Sequence, residues 1–242
     1  MTEYTLRVAA APPAAEAISL QEVAFLRLLQ LASPALPIGA FAYSQGLEQA
    51  VELGWVHDEP SAVAWISGIL CEVFPRLDVP LLRAMHGAWQ RGDQAQVAAF
   101  SAFLHACRET AELCAEDRQL GAALARVLQG LGVSEAEPWI AAPDATLVTS
   151  LSLAALHFEL PIRGAALALT FSWLENQVAA ASRLIPIGHI AGQRVLSQVL
   201  PLLPPAVARG LDLPFEAVGF LAPSLAAASA LHESAYSRLF RS

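Results

Sequence analysis

The chain contains no lysine, so all 14 of its basic residues are arginine, and with 22 acidic residues the formal net charge is −8. Without lysine it can have no phosphate-loop lysine, no Schiff-base lysine and no lysine general base. An acidic chain is also a poor binder of nucleic acid, whose phosphates attract cations. These absences exclude nucleotide hydrolysis by a phosphate loop and argue against a nucleic-acid partner.

Cysteine is scarce and histidine is scattered. Cys71, Cys107 and Cys114 form an odd set without a CxxC pair, which favours free thiols in a reducing compartment over a disulfide framework. If one helix carries Cys107 and Cys114, their spacing of seven places both on one face as small hydrophobes. The six histidines include no HxxxH, HxH or CxxH pair. We therefore predict neither a metal site nor a cofactor in this chain.

Long apolar runs are missing, although 55% of the residues are hydrophobic and only 15% are charged. A membrane span needs about 20 consecutive apolar residues, and the best candidate, 164–174, lies between Arg163 and Glu175. Glu3 precedes any apolar run, and the basic leader of a secretory signal is missing. We expect a cytoplasmic chain without a membrane partner, whose apolar residues form a large core or a protein interface.

What the chain does contain is a series of helical patterns separated by proline and glycine. No segment alternates with period two beside a hairpin turn, so strands are not expected. We predict an all-α fold with a single, bundle-like domain of about ten helices at 18–228. A mobile N-terminal tail at 1–17 precedes this domain, and a partner-docking C-terminal tail at 229–242 follows it.

Several helix starts are marked by aspartate or proline. Asp58 and Asp78 are each followed two residues later by proline, which predicts a capping residue with proline in the first turn. Pro161 and Pro186 predict two later helix starts. A further helix is predicted from Ser44 to about Leu53.

The segment at 33–48, SPALPIGAFAYSQGLE, connects two predicted helices and is apolar, whereas a connector is usually short and polar. Pro34 and Pro37 fix φ and remove two N–H donors, while Gly39 permits backbone angles that other residues resist. Phe41 and Tyr43 stand among small residues. We expect an apolar connector of this kind to pack under a neighbouring element or under another chain.

The last residues, HESAYSRLFRS at 232–242, are rich in anchoring side chains. Tyr236, Leu239 and Phe240 predict an amphipathic stripe, with Arg238 and Arg241 on the other sides. Chain termini fray unless something holds them, and Tyr, Phe and Arg dominate the energetics of interfaces. We predict that the tail docks on a partner protein. Docking on the chain's own core is the alternative.

Both segments resemble the signatures of the UreF family of urease accessory proteins, in the same order and at similar positions. The resemblance implies a non-catalytic adaptor that forms a homodimer, binds the accessory protein UreD or UreH through its tail and recruits the UreG GTPase. The assembly would then dock on apo-urease, and a GTP-dependent rearrangement would deliver nickel. Ser234 and Ala235 depart from the family's usual Thr and Gln, and His189 stands where Gln is common.

The predicted partner-binding residues lie in the connector, beside two glycines of a later helix and in the tail: Phe41, Tyr43, Ser44, Gln45, Glu48, Arg183, Gln193, Arg194, His232, Tyr236, Arg238, Leu239, Phe240 and Arg241. The two glycines, Gly188 and Gly192, are four apart on one predicted helix. Small residues at this spacing permit close helix packing, either within the chain or between subunits.

Two rival functions remain. The sequence AYSQG at 42–46 nearly matches a nucleophile elbow, which would make the chain a serine hydrolase with Ser44 as nucleophile. That motif needs a strand before the serine and a helix after it, and no sheet is predicted, so Ser44 is expected to cap a helix instead. The other rival is a helical scaffold for an unrelated assembly.

Overall fold

The computed structural model describes residues 20–220 and 222–242 and places helices along most of this part of the chain. No strand occurs in these two ranges, which confirms the prediction of a single all-α domain. The predicted mobile tail at 1–17 lies outside the described residues. The α-helices are α1 (Leu20–Ala32), α2 (Leu47–Glu52), α3 (Glu59–Arg76), α4 (Asp78–Gln90), α5 (Gln94–Ala106), α6 (Ala111–Gly130), α7 (Leu147–His157), α8 (Ile162–Leu184), α9 (Gly188–Val199), α10 (Leu203–Asp212) and α11 (Pro223–His232).

Asp58 caps α3, as predicted. Its carboxylate accepts the N–H of Ser61 at 2.9 Å, and the Ser61 hydroxyl accepts the N–H of Asp58 at 3.0 Å. This reciprocal pair satisfies two amides that have no partner within the helix. Pro60 lies in the first turn, where the missing N–H costs nothing. Pro161 likewise directly precedes α8.

Asp78, by contrast, does not cap α4, so that prediction is wrong. Leu77 is the N-cap residue, and Asp78 lies inside the first turn. Its buried carboxylate binds the guanidinium of Arg108 at 2.6 Å. A charged partner offers a stronger hydrogen bond than a backbone amide does, so the buried arginine takes the carboxylate.

The starts of α2 and α9 also differ from the predictions. Gln45 and Gly46 have φ values of +51° and +74°, which are incompatible with a right-handed helix, so α2 begins at Leu47 rather than at Ser44. The helix α9 starts at Gly188 rather than at Pro186, because the φ of +68° at Gly188 excludes a right-handed helix that runs unbroken from Pro186.

Gly192 is a contact between two helices of the same chain. A Cβ at this position would lie 2.6 Å from Ser182 Oγ on α8, so a larger residue would require the Ser182 side chain to move or α9 to lie farther from α8. A Cβ on Gly188 would meet nothing within 4 Å. Of the two alternatives for this glycine pair, packing within the chain therefore accounts for Gly192.

The cysteines do not share a helix. Cys107 is the C-cap residue of α5, whereas Cys114 lies in α6. The two helices are separated by a break, and Thr110 is the N-cap residue of α6. The condition for a common face is therefore not met. All three cysteines are free thiols, as expected.

The larger core lies between α3, α4, α6, α7, α8 and α10. Leu70, Leu82, Leu124 and Leu174 are fully or almost fully buried there, and each such leucine contributes about 1.5–3 kcal/mol through removal of apolar surface from water. A Cβ on Gly121 would lie 2.5 Å from the carbonyl carbon of Thr146. The glycine therefore sets the close approach of α6 to the start of α7.

A second, smaller apolar cluster joins α2 and α8 to the C-terminal tail. It consists of Leu47, Ala50, Val56, Ala62, Ala180, Ala181, Ile185 and Phe240. Phe240, near the C-terminus, therefore packs with α2 and the last turns of α8. This contact brings the tail and the connector together.

Candidate partner-binding site at the connector and the tail

The connector (33–48) and the tail (233–242) contact each other, and we call their contact region the junction. The tail begins at Glu233, because α11 continues to His232. Arg241 donates its backbone N–H to the carbonyl of Ala42 at 2.8 Å, and Ser44 donates its N–H to the carbonyl of Ser242 at 2.8 Å. The Ser44 hydroxyl donates to the same carbonyl at 2.5 Å. The tail thus docks on the chain's own connector.

Glu48 holds the tail by its backbone. One carboxylate oxygen accepts the N–H of Leu239 at 2.7 Å, and the other accepts the N–H of Phe240 at 2.8 Å. The Glu48 residue as a whole is 7% exposed. Hydrogen bonds to an ionised group are stronger than those between neutral groups. Glu48 therefore fixes the position of the tail rather than presenting its own charge to solvent.

His232 lies between two carboxylates. Its Nε2 is 3.3 Å from Glu48, its Nδ1 is 2.8 Å from Glu112 on α6, and the ring is 1% exposed. Both contacts are N–H donations only when the ring carries both protons. Arg238 adds a further ion pair to Glu112 at 2.7 Å. These contacts tie the end of α11 and the tail to α2 and α6.

Glu116, also on α6, lies under the end of the tail. It accepts hydrogen bonds from the Gln45 side-chain amide at 2.8 Å and from the Ser242 hydroxyl at 2.8 Å. Burial raises the pKa of Glu116 to about 7, more than these two hydrogen bonds lower it. The group is thus a buried carboxyl with neutral partners on both sides.

Gln45 has a left-handed backbone, which costs a non-glycine residue of order 1–3 kcal/mol. Its side chain offsets that cost, because the amide donates to Glu116 while its oxygen accepts the Trp173 indole N–H at 2.6 Å. Beside it, a Cβ on Gly46 would lie 3.2 Å from the Ala228 Cβ. Gln45 and Gly46 together direct the backbone of the connector into the space between α6, α8 and α11.

Tyr43 is 4% exposed and faces inward. Its hydroxyl donates to Gln119 on α6 at 2.5 Å, and its carbonyl accepts from Asn176 on α8 at 3.0 Å. Tyr43, Ser44, Glu48, His232 and Phe240, all predicted to bind partners, are therefore buried within this chain. In this conformation they support the junction and offer little surface of their own.

Other predicted side chains of the junction point outward. Tyr236 is fully exposed, Leu239 is 67% exposed and Phe41 is 65% exposed. The predicted stripe of Tyr236, Leu239 and Phe240 is wrong, because such a stripe needs a helix and the residues after His232 form turns and bends. Phe240 instead points into the core while Tyr236 and Leu239 face solvent.

The remaining predicted residues form a separate group on α8 and α9. Arg183 and Gln193 border a groove of about 510 Å³ between the connector, α8 and α9, and Phe41 lines its other side. Arg194 is exposed and makes an ion pair with Glu59 on α3 at 2.7 Å. The predicted residues thus lie in two regions, which meet at Phe41.

Ser44 lacks the surroundings of a nucleophile. A 3₁₀ turn at Ala40–Ala42 precedes it instead of a strand, and its side chain is fully buried. Its hydroxyl oxygen accepts the N–H of Glu48 at 3.3 Å, but Gly46 is the N-cap residue of α2, so the prediction that Ser44 caps this helix is wrong. His232 binds Glu48 and Glu112 rather than Ser44.

Sequence reasoning missed the residues that receive the junction. Glu112, Glu116 and Gln119 form a polar row on α6, and Trp173 and Asn176 perform the same task on α8. The sequence gives little indication of this role, because a row of polar residues on an amphipathic helix normally faces water. Across 20–220 and 222–242, no three His, Cys, Asp or Glu side chains are grouped so that they could hold a metal ion. Within the same ranges no helix is long and apolar enough to cross a bilayer.

Comparison with known proteins gives a consistent result. The UreF family model matches residues 56–200. The chain is 46% identical over 216 residues to the urease accessory protein UreF of Alkalilimnicola ehrlichii, an alignment that covers 89% of this chain and 95% of that protein. It is 45% identical over 221 residues to UreF of Marinobacter nauticus, with 91% and 95% covered. With UreF of Psychrobacter cryohalolentis it shares 44% over 230 residues, with 93% and 97% covered.

Proposed function

Because this chain belongs to the UreF family of urease accessory proteins, we propose that it is a cytoplasmic, non-catalytic adaptor for the insertion of nickel into apo-urease. In this role it forms a homodimer, binds the accessory protein UreD or UreH at the junction, and recruits the UreG GTPase. Since the chain has no lysine, GTP turnover belongs to the GTPase. Family membership also removes the rival scaffold for an unrelated assembly.

The observation that carries the proposal is the contrast between buried and exposed side chains within the junction. Buried side chains hold the tail against the connector, while Tyr236, Leu239 and Phe41 remain exposed. Exposed aromatic and aliphatic side chains on a rigid support are the type of residue that dominates binding energy at interfaces. The buried contacts supply that support, because a fixed backbone has less conformational entropy to lose on binding.

The test is a double variant, Tyr236→Ala with Leu239→Ser, which removes exposed apolar surface and leaves the buried contacts intact. We expect loss of co-purification with the UreD or UreH protein and loss of urease activation, with an unchanged helical circular-dichroism spectrum. The matched control is Leu131→Ser, because Leu131 is 44% exposed at a distant turn. Unchanged co-purification of the double variant would contradict the proposal.

For self-association we propose the groove between the connector, α8 and α9. Arg183 is exposed and forms no ion pair within the described residues, and Ile190 on α9 is 78% exposed. Such a pairing of an apolar side chain with an unpaired arginine suits an interface between copies. Arg183→Glu is expected to shift the protein toward monomer in light scattering, whereas Arg163→Glu, at the exposed start of α8, is expected to leave its mass unchanged.

A further inference from the structure

Three arginines share one groove beside the junction. The groove, of about 690 Å³, is lined by Arg118 and Arg126 of α6, by Arg241 of the tail, and by Gly39 and Phe41 of the connector. All three arginines are exposed. It is separate from the groove between α8 and α9, although Phe41 borders both.

These arginines have no anionic partner among the residues that the structure describes. No aspartate or glutamate lines the groove, and none of the three arginines forms an ion pair within the described residues. The Arg241 guanidinium donates a long hydrogen bond to Gln119, at 3.5 Å. The chain as a whole carries 22 acidic residues against 14 arginines. A local excess of positive charge on an acidic protein is therefore a specific feature of this groove.

The spacing of the arginines limits the shape of a ligand. Arg118 and Arg126 are eight residues apart on one face of α6, which places them about 12 Å apart along the helix axis. In an extended peptide, side chains four residues apart lie on one face at about 13 Å. Two carboxylates at positions i and i+4 of an extended segment therefore match the separation of the two arginines along the helix axis. Pro37, Ile140 and Pro143 on the walls offer apolar contacts for the residues between them.

We propose that this arginine groove binds an extended, carboxylate-bearing segment of the accessory protein UreD or UreH. The inference rests on the proposed function, since it assigns the chemistry of a partner that docks at the junction. Arg241 connects the two regions, because its backbone N–H binds the connector while its side chain lines the groove. Docking of the tail is thus what completes the groove.

The test compares three full-length chains for binding to purified UreD or UreH protein from about 0.05 M to about 0.5 M NaCl. They are the unmodified chain, Arg118→Glu with Arg126→Glu, and a control with the same change of net charge, Arg91→Glu with Arg163→Glu. We expect the groove variant to lose about 100-fold in affinity at low salt, because like charges face each other across the contact. Its remaining binding is expected to depend little on salt, whereas the control behaves like the unmodified chain.

The outcomes separate this inference from the proposed function. Equal affinity of the groove variant and the control overturns the arginine groove and leaves docking at the junction intact. Retained binding by the Tyr236→Ala, Leu239→Ser variant, together with loss in the groove variant, overturns the role of the exposed tail instead. If the unmodified chain does not bind the accessory protein, both fail. If the groove variant loses binding to GTP but not to the accessory protein, the groove is a phosphate site and the proposal is wrong.

Discussion

Among the described residues, buried carboxylates occur in two clusters that have different hydrogen-bond partners. In the first cluster, between α4 and α6, Arg108 pairs with Asp117 at 2.8 Å and with Asp78 at 2.6 Å. We call this the cluster in the body of the protein. At the junction, Glu48 accepts hydrogen bonds from two backbone amides of the tail, and Glu116 accepts them from a side-chain amide and a hydroxyl. In the first cluster a cation joins helices, whereas in the second the tail itself is the ligand.

The difference predicts that substitutions in the two clusters affect different parts of the molecule. Burial by itself lowers the pKa of Arg108, but Asp117 and Asp78 raise the pKa by more than burial lowers it. The guanidinium therefore stays charged. Removing it would leave two buried carboxylates without a cation. Removing a carboxylate of the junction would instead free amides that belong to the end of the chain, where water can reach them. The first change is expected to act on the whole fold, and the second on the tail.

The largest effect is expected for Arg108→Met, which keeps the size of the side chain and removes its charge. Breaking a buried ion pair from one side costs about 3–5 kcal/mol of the free energy of unfolding. Urea titration followed by circular dichroism measures this loss. The control Arg91→Met, at an exposed helix end, is expected to change stability by less than about 0.5 kcal/mol. Equal stability of the two variants would show that the cluster in the body contributes nothing special.

The second effect is a dependence of stability on pH. Burial raises the pKa of Glu116 from its ordinary 4.5 to about 7, so the folded chain holds this proton over a range in which the unfolded chain has released it. The free energy of unfolding therefore falls as the pH rises from about 4.5 to about 7, by up to about 3 kcal/mol.

Glu116→Gln tests this dependence, because the amide resembles the protonated carboxyl: its oxygen accepts from the Gln45 amide, and its NH₂ group donates to the Ser242 hydroxyl, which reverses that hydrogen bond. Urea titrations across this pH range are expected to give a flatter profile for Glu116→Gln than for the unmodified chain. Glu216→Gln, at an exposed site, is the control and is expected to keep the original slope. An unchanged slope in Glu116→Gln would place the titrating group elsewhere.

The smallest effect is expected for Glu48→Gln, which leaves one tail amide facing an NH₂ group. The cost of about 1–3 kcal/mol falls on docking of the tail rather than on the global fold. Trypsin is therefore expected to cleave after Arg238 faster than in the unmodified chain, while the urea midpoint stays nearly the same. Glu52→Gln, exposed on the same helix, supplies the control. A large drop in the urea midpoint would show that the junction belongs to the cooperative core.

Much of the fold could be read from short-range signals. Asp58 and Pro161 start helices as predicted, because capping and a fixed proline φ act on amides within one turn. Asp78 and Ser44 were misplaced for a common reason. Each is bound by a group far away in the sequence, and no local pattern identifies such a partner.

Of the candidate site, the two segments were identified from the sequence, but their arrangement was not. Phe240 and Tyr236 look alike as apolar anchors, yet one is buried and the other fully exposed. The sequence by itself determined the helical class, the absence of phosphate-loop chemistry and the presence of two unusual segments at opposite ends. Only the tertiary structure decided that these ends meet, since the hydrogen bond from Ser44 to Ser242 spans 198 positions. Contacts over such a separation depend on how the helices between them pack, and packing is a property of the whole chain.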